Sequence, residues 1–200
     1  MERNQNQKTS LKQTFSTQNL VMMAVLAAMQ IILARFLGIQ VSDTLRISFE
    51  SIPVVLAGLW LGPVCGAVVG FIADAIGTIL SGLPWFPPLA LNPIMEGLVA
   101  GLCARYFIRE GIGDPRCAWK VSLTALLTGI LSSFGVGLVG STLYSIMMKG
   151  NTTAFPVLLW TNLLTRLGTK PWTIAVNIVV ITIVNRAVYK PVVKNILSRA

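Results

Sequence analysis

The chain has no histidine. That one absence removes the commonest zinc ligand, the usual general base and the Ser-His-Asp kind of triad. Charge is also scarce. Only 12% of the 200 residues are charged, and seven of them are acids, where a soluble domain carries about 25%. The three cysteines, Cys65, Cys103 and Cys117, have none of the paired spacings of a metal site or redox motif. There is no GxxxxGK(S/T) loop and no HExxH. Asp74 and Glu96 are carboxylates that could do acid–base work, but no nucleophile or metal cluster accompanies them. An enzyme is therefore not the reading, no cofactor or metal is implied, and the chain cannot drive uphill transport with ATP by itself.

What the chain has is apolar length. Hydrophobic residues make up 54% of it, mean hydropathy is +0.73, and several runs approach the ~20 residues that cross a bilayer. The expected class is an all-α integral membrane protein. The net charge of +9 has two readings. Basic chains often bind nucleic acid, but these cations lie in short loops and at the ends of apolar runs. That is how membrane proteins set their orientation, so no nucleic acid is expected.

Six membrane-associated segments are expected, at about Asn19–Leu37, Ser51–Leu61, Val64–Ser81, Leu89–Ile108, Ala118–Met148 and Pro171–Leu197. Gly62 and Pro63 make a tight turn between the second and third. "GLPWFPP", Gly82 to Pro88, is a loop, and "REGIGDPRC" is a polar link. Lys149 to Lys170 reads as a long loop whose apolar stretch "FPVLLW" dips into the interface. Residues 1–18 are polar and read as a cytoplasmic tail rather than a cleavable signal. Residues 19–200 then form a single six-helix membrane domain. With both termini cytoplasmic, Arg35, Arg46, Lys149, Arg166 and Lys170 fall outside and the other eleven of the 16 Lys and Arg fall inside, as the positive-inside rule requires.

Small residues recur at every fourth position: Ala24 and Ala28, Gly58 and Gly62, Gly66 and Gly70, Ala73 and Gly77, Gly97 and Gly101. Such spacing lets another helix approach closely. The partner is either a helix of this chain or another membrane protein.

The polar residues of the apolar segments collect in one half of the membrane. At about 1.5 Å per residue, Asp74 lies near the midplane or slightly outward, and Glu96 about seven residues from the outer end of its segment. Arg35, Arg166, Lys170 and Trp172 sit at outer ends, and Arg46 and Glu50 precede the second segment on the same side. An ionisable side chain in a membrane segment costs at least about 2.5 kcal/mol, so it faces the protein interior or a wet cavity. An internal ion pair and a ligand pocket are both open for Asp74 and Glu96. A proton relay would need titratable groups through the inner half, and none is there apart from loop charges.

The stretch "SIPVVLAGLWLGPVCGAVVGFIADAIGTILSGLPWFPPLALNPIMEGLVAGL", Ser51 to Leu102, resembles the substrate-binding S components of energy-coupling factor (ECF) transporters, most closely the folate-specific type. The carrying features are "GLWLGPVCGAVVG", "ADAIG", the aromatic-proline loop and the glycine pair of the next helix. The pair Ala24 and Ala28 matches the family's AxxxA docking motif. The resemblance is looser in the last two segments, where "RLGTKPW" is similar to the family's basic approach to the last helix.

The resemblance implies a six-helix fold with an outward-facing pocket and high-affinity vitamin binding. It also implies association with a transmembrane coupling protein and two ATPase subunits in a bacterial plasma membrane. Under it, Asp74 or Glu96 would accept the paired donors of a pterin. Trp85, Phe86 and Trp172 are candidate aromatic walls, and Arg35, Arg166 and Lys170 would meet the anionic tail of folate. Trp85 and Phe86 read equally well as interface anchors, and Arg35 as a snorkelling cation. An S component for riboflavin or thiamine, or a structural membrane subunit that binds no small molecule, are the alternatives.

Overall fold

The structure, a computed structural model, describes residues 16–36, 39–40, 46–47, 49–82, 84–108, 118–148, 150 and 154–189. Most of the expected tail, Arg46 as a side chain, the "REGIGDPRC" link with Cys117, and the chain beyond residue 189 lie outside the described residues.

Among the described residues, six helical segments make up the fold: α1 (Thr17–Phe36), α2 (Ser51–Leu61), α3 (Pro63–Leu80), α4 (Pro87–Phe107), α5 (Ala118–Met147) and α6 (Phe155–Val188). Between α1 and α2, β1 (Ile39–Gln40) pairs antiparallel with β2 (Arg46–Ile47). By length and composition, α1, α3, α5 and α6 can cross a membrane. At 11 residues, α2 is about 16 Å long and falls short of the ~30 Å hydrocarbon core. Its first residue, Ser51, and the preceding Glu50 both line the cavity described below.

α2 is apolar all round, and every residue from Ile52 to Leu59 is buried, as expected of a central helix. One side of it packs with α4, α5 and α6 through Leu56, Leu59, Ala100, Val121 and Ile181. The other side packs with α1 and α3 through Ala57, Met23, Leu26, Cys65 and Val69. On α1 the buried set is Asn19, Met23, Leu26, Ala27 and Gln30, a single helical stripe.

Glycine sets how closely α2, α3 and α4 meet. Gly62, at φ 96°, makes the turn from α2 into α3, and Pro63 opens α3 at a position that has no hydrogen bond to lose. A Cβ added at Gly58, Gly66, Gly70, Gly97 or Gly101 would run into the backbone of a neighbouring helix. These glycines thus serve contacts within the chain. Gly77 is different, since a Cβ there would meet open space.

The second half is built otherwise. α5 contains a π-helical segment, Leu131–Val136. α5 and α6 are joined by polar side chains: Ser122 and Thr182 hydroxyls are 2.9 Å apart, and Asn162 Nδ2 donates to Thr142 Oγ1 at 3.2 Å. The expected loop from Lys149 to Lys170 is mostly helix instead, because α6 begins at Phe155 and runs straight through Pro171. Proline suggested a helix start, since its ring fits the first turn at no cost. Here the interior position costs one backbone bond, and tertiary packing carries the helix through. Thr161, Thr165 and Thr169 each donate to the carbonyl four residues back, keeping their hydroxyls satisfied within the helix. With 34 residues, α6 is about 51 Å long and must tilt or extend beyond the hydrocarbon.

Candidate ligand-binding cavity

At the end of the bundle away from the N-terminus of α1, the short α2 leaves a space. It forms a cavity of about 470 Å³, within the roughly 300–1,000 Å³ of small-molecule pockets. All six helices contribute: Gln30 and Ala34 of α1, Ser51 and Val55 of α2, Asp74 and Thr78 of α3, Asn92 and Glu96 of α4, Thr128 and Ser132 of α5, and Lys170, Thr173 and Asn177 of α6. The spacings of three and four are those of a helix face.

Asp74 is half-buried in α3. Trp85, in the loop after that helix, donates its indole N–H to Asp74 Oδ2 at 3.3 Å and meets Phe71 edge-on at 6.1 Å. Glu96 is deeper, at 6% exposure, with Ser51 and Ser132 beside it; the Ser132 hydroxyl donates to the Gly129 carbonyl at 3.3 Å. Glu50 lies within electrostatic reach of both carboxylates, and Lys170 within reach of Glu96.

Three cations line the same cavity, Arg35, Arg166 and Lys170. Arg35 hydrogen-bonds the Gly77 carbonyl and the Ser81 hydroxyl. It thereby ties the end of α1 to the carbonyl-rich C-terminus of α3, where positive charge is favoured. Arg166 donates to the Ser133 carbonyl at 2.6 Å, the Gly137 carbonyl at 2.9 Å and the Ser141 hydroxyl at 3.1 Å.

Of the residues expected from sequence, Asp74, Glu96, Arg35, Arg166 and Lys170 all line the cavity. Trp85 stands beside it through its bond to Asp74. Phe86 is buried against Tyr144, with ring centroids 5.7 Å apart, and is not in the cavity wall. Trp172 is 66% exposed and is not in the wall either. Ala24 and Ala28 are exposed on α1, off the stripe that packs inward.

Sequence reasoning missed Gln30, Asn92, Thr128, Ser132 and Asn177. Their signal was a neutral polar residue repeated at helical spacing inside an apolar run, which is quieter than a charge. Two of them stand out. Gln30 Oε1 and Asn92 Oδ1 are buried and have no hydrogen-bond partner among the described residues. A buried acceptor left so costs about 1–3 kcal/mol, and both residues face the cavity.

Comparisons with known proteins agree with this geometry. Residues 14–113 match the family described as ECF-type riboflavin transporter, S component. An uncharacterized protein of Mycoplasma pneumoniae, the MG313 homolog, is 35% identical over 64% of this chain and 44% of its own length. The folate transporter FolT of Clostridium novyi is 26% identical over 56% of this chain and 63% of its own. The FolT of Leuconostoc mesenteroides is 26% identical over 60% and 61%. The matched stretch thus spans less than two thirds of each of these relatives. A crystal structure of FolT bound with folic acid aligns with a TM-score of 0.57 at 25% identity, covering 81% of this chain and 91% of that one. Half of the chain fits the family directly, and most of it shares the six-helix fold of a solved member: the chain belongs to the S components of ECF-type transporters.

Proposed function

We propose that this S component binds a folate in the cavity and delivers it to an ATP-driven uptake complex in a bacterial plasma membrane. The observation that carries the substrate is the pairing of carboxylates and cations around one space, Asp74 and Glu96 with Arg35, Arg166 and Lys170. A pterin presents an N–H and an amino group side by side, and a carboxylate accepts both. The vacant oxygens of Gln30 and Asn92 add acceptors for the remaining donors. The glutamate end of folate carries two carboxylates, and cations of the cavity wall, Lys170 among them, would meet these. Trp85 supplies an aromatic edge at Asp74, while Phe86 and Trp172 have no part in this grip. The relatives called folate transporters, and the fold shared with FolT, support the same substrate.

With both termini cytoplasmic, the cavity faces outward. A coupling protein in the membrane would dock on the exposed Ala24 and Ala28 stripe of α1, and two ATPase subunits would supply the energy. One observation favours a second substrate. The matching family is described by riboflavin, whose flavin ring would need fewer charges in the wall.

The test is a titration of the purified protein in detergent with folate, 5-formyl-tetrahydrofolate, riboflavin and thiamine, without ATP or partners. Folate should bind tightly. Asp74→Asn should weaken it roughly tenfold to hundredfold, as expected for a hydrogen bond to a charged group worth about 1.5–3 kcal/mol. An affinity unchanged within about threefold, ~0.65 kcal/mol, removes Asp74 from the grip. Riboflavin binding in place of folate would keep the family and replace the substrate.

A further inference from the structure

Arg166 lines the cavity but directs its donors elsewhere. Its guanidinium has five N–H groups, and three hydrogen bonds go to α5: to the carbonyls of Ser133 and Gly137 and to the hydroxyl of Ser141. Those acceptors are spaced by four, a stripe along one helix face that starts inside the π-helical segment Leu131–Val136. A π turn holds one residue too many for the α-helical ladder and shifts the carbonyls around it out of register. Arg166 is the side chain that meets those carbonyls. The contact is close enough that a Cβ on Gly137 would stand 3.1 Å from Arg166 Nη1 and 2.5 Å from the Ser132 carbonyl, so the residue there has to be small.

The π turn also decides what the cavity sees. Thr128, Gly129, Ser132, Ser133 and Gly137 of α5 all line it, and Ser132 neighbours the Glu96 carboxyl. Each residue of an α-helix turns by about 100°. Loss of the extra residue would rotate one side of α5 by that amount relative to the other, and Ser132 and Ser133 could not keep their place while Gly137–Ser141 kept theirs.

We propose that Arg166 is a positioning residue, a clamp that bridges α6 to the π turn of α5 and so holds Ser132, and through it Glu96, in the ligand-binding geometry. In this role Arg166 acts on the whole site rather than on the anionic end of a ligand. A lysine cannot replace it, because one ammonium does not span two carbonyls a turn apart as the planar fork does. The clamp is a property of the ligand-free chain. Only the affinity measurements rest on the folate reading.

Hydrogen exchange of the ligand-free protein reads the clamp directly. Arg166→Gln and Arg166→Lys should each speed exchange of the amides between Leu131 and Ser141 at least tenfold, with α3 unchanged. Wild-type exchange in that stretch would overturn the proposal. Affinities are then taken for folate and for a pterin without the glutamate tail, per folded protein. Both variants should weaken both ligands by similar factors, on the order of tenfold. Loss for folate alone, or full retention in Arg166→Lys, would make Arg166 a counter-ion for the tail and overturn the clamp. Ser132→Ala added to Arg166→Gln should lose no more than the larger single change, and additive losses count against the route through Ser132. Should the Arg166 variants fail to fold, Ser141→Ala removes one of the three contacts. It should raise exchange in the same stretch and weaken both ligands alike by a smaller factor, and no change in either overturns the clamp. If the wild type binds no folate, the substrate reading fails while the exchange result still decides the clamp.

Discussion

The two halves of this bundle are held together by different means. In α2, α3 and α4 the helices touch backbone to backbone, through Gly58, Gly66, Gly70, Gly97 and Gly101. In α5 and α6 they are joined by side chains, the Ser122–Thr182 and Asn162–Thr142 bonds and the three bonds of Arg166. In lipid, close packing of small residues and hydrogen bonds across helices are alternative ways to associate, since apolar burial alone gives little preference between a helix and a lipid tail. The glycine-packed helices leave no side chain between their backbones at these contacts. The hydrogen-bonded half keeps longer side chains between its helices and carries a π turn. The cavity lies where the two meet, with Asp74 and Glu96 from the first and Lys170 and Thr128 from the second. The family match, residues 14–113, covers the first half. The glycine-packed part of the site therefore lies within the stretch that matches the family.

The sharpest way to break this contrast is one substitution made in both halves. Gly97→Ala would drive a methyl into the backbone of Gly66, and the helices would have to part. We expect a loss of about 1–3 kcal/mol or more, read as a thermal midpoint several degrees lower and as aggregation during size-exclusion chromatography. Gly168→Ala, in α6, meets nothing within 4 Å. It should be neutral or stabilising by up to about 1 kcal/mol, because alanine is the better helix former. Equal losses at the two positions would erase the distinction between the halves.

That distinction also explains what the sequence disclosed. The glycine spacing of α2, α3 and α4 is periodic, so it announced close helix contacts, and the turn at Gly62 and Pro63 followed from two residues with strong backbone preferences. Charges in apolar runs are rare enough to be conspicuous, which is why Asp74, Glu96, Arg35, Arg166 and Lys170 could be placed around one site. The second half was harder to read. Pro171 looks like a boundary, because its local preference favours a helix start, and only packing against α5 shows that α6 continues through it. A π turn has no residue signature in "LSSFGV". Gln30 and Asn92 are neutral, and their vacant oxygens become meaningful only once the neighbours that fail to meet them are known. Aromatics misled in the opposite way. Phe86 and Trp172 have the right chemistry for a ring-binding wall, but Phe86 is buried against Tyr144 and Trp172 is largely exposed.

Within the first half, small residues divide between two environments, and a substitution separates the roles proposed for them. The glycines face inward, whereas Ala24 and Ala28 are exposed on α1. Replacing both alanines with Leu should leave the thermal midpoint within about 2 °C and folate affinity within about twofold, since surface changes away from packing are usually within ±0.5 kcal/mol. In the proposed assembly, co-purification with a coupling protein and ATPase subunits should be lost, because leucine prevents close helix approach. Undiminished co-purification would move the docking face elsewhere. A fall in stability like that of Gly97→Ala would mean that the two alanines pack within the chain after all.

The smallest effect is expected at Trp172, and it tests the second half. This residue sits two positions after Lys170 in α6 and is 66% exposed, on a helix that runs the length of the bundle. A tryptophan so placed has an apolar ring and one N–H, which suits the boundary between lipid tails and water. Trp172→Phe keeps the ring and drops the N–H, and should leave folate affinity within about twofold, less than ~0.5 kcal/mol. Trp85→Phe removes the bond to Asp74 Oδ2 and should cost more, about three- to tenfold, as a hydrogen bond to a charged group does even when partly exposed. The ratio of the two losses is the informative quantity. If Trp172→Phe costs as much as Trp85→Phe, then α6 turns its exposed face toward the ligand on binding, and the hydrogen-bonded half is the one that moves.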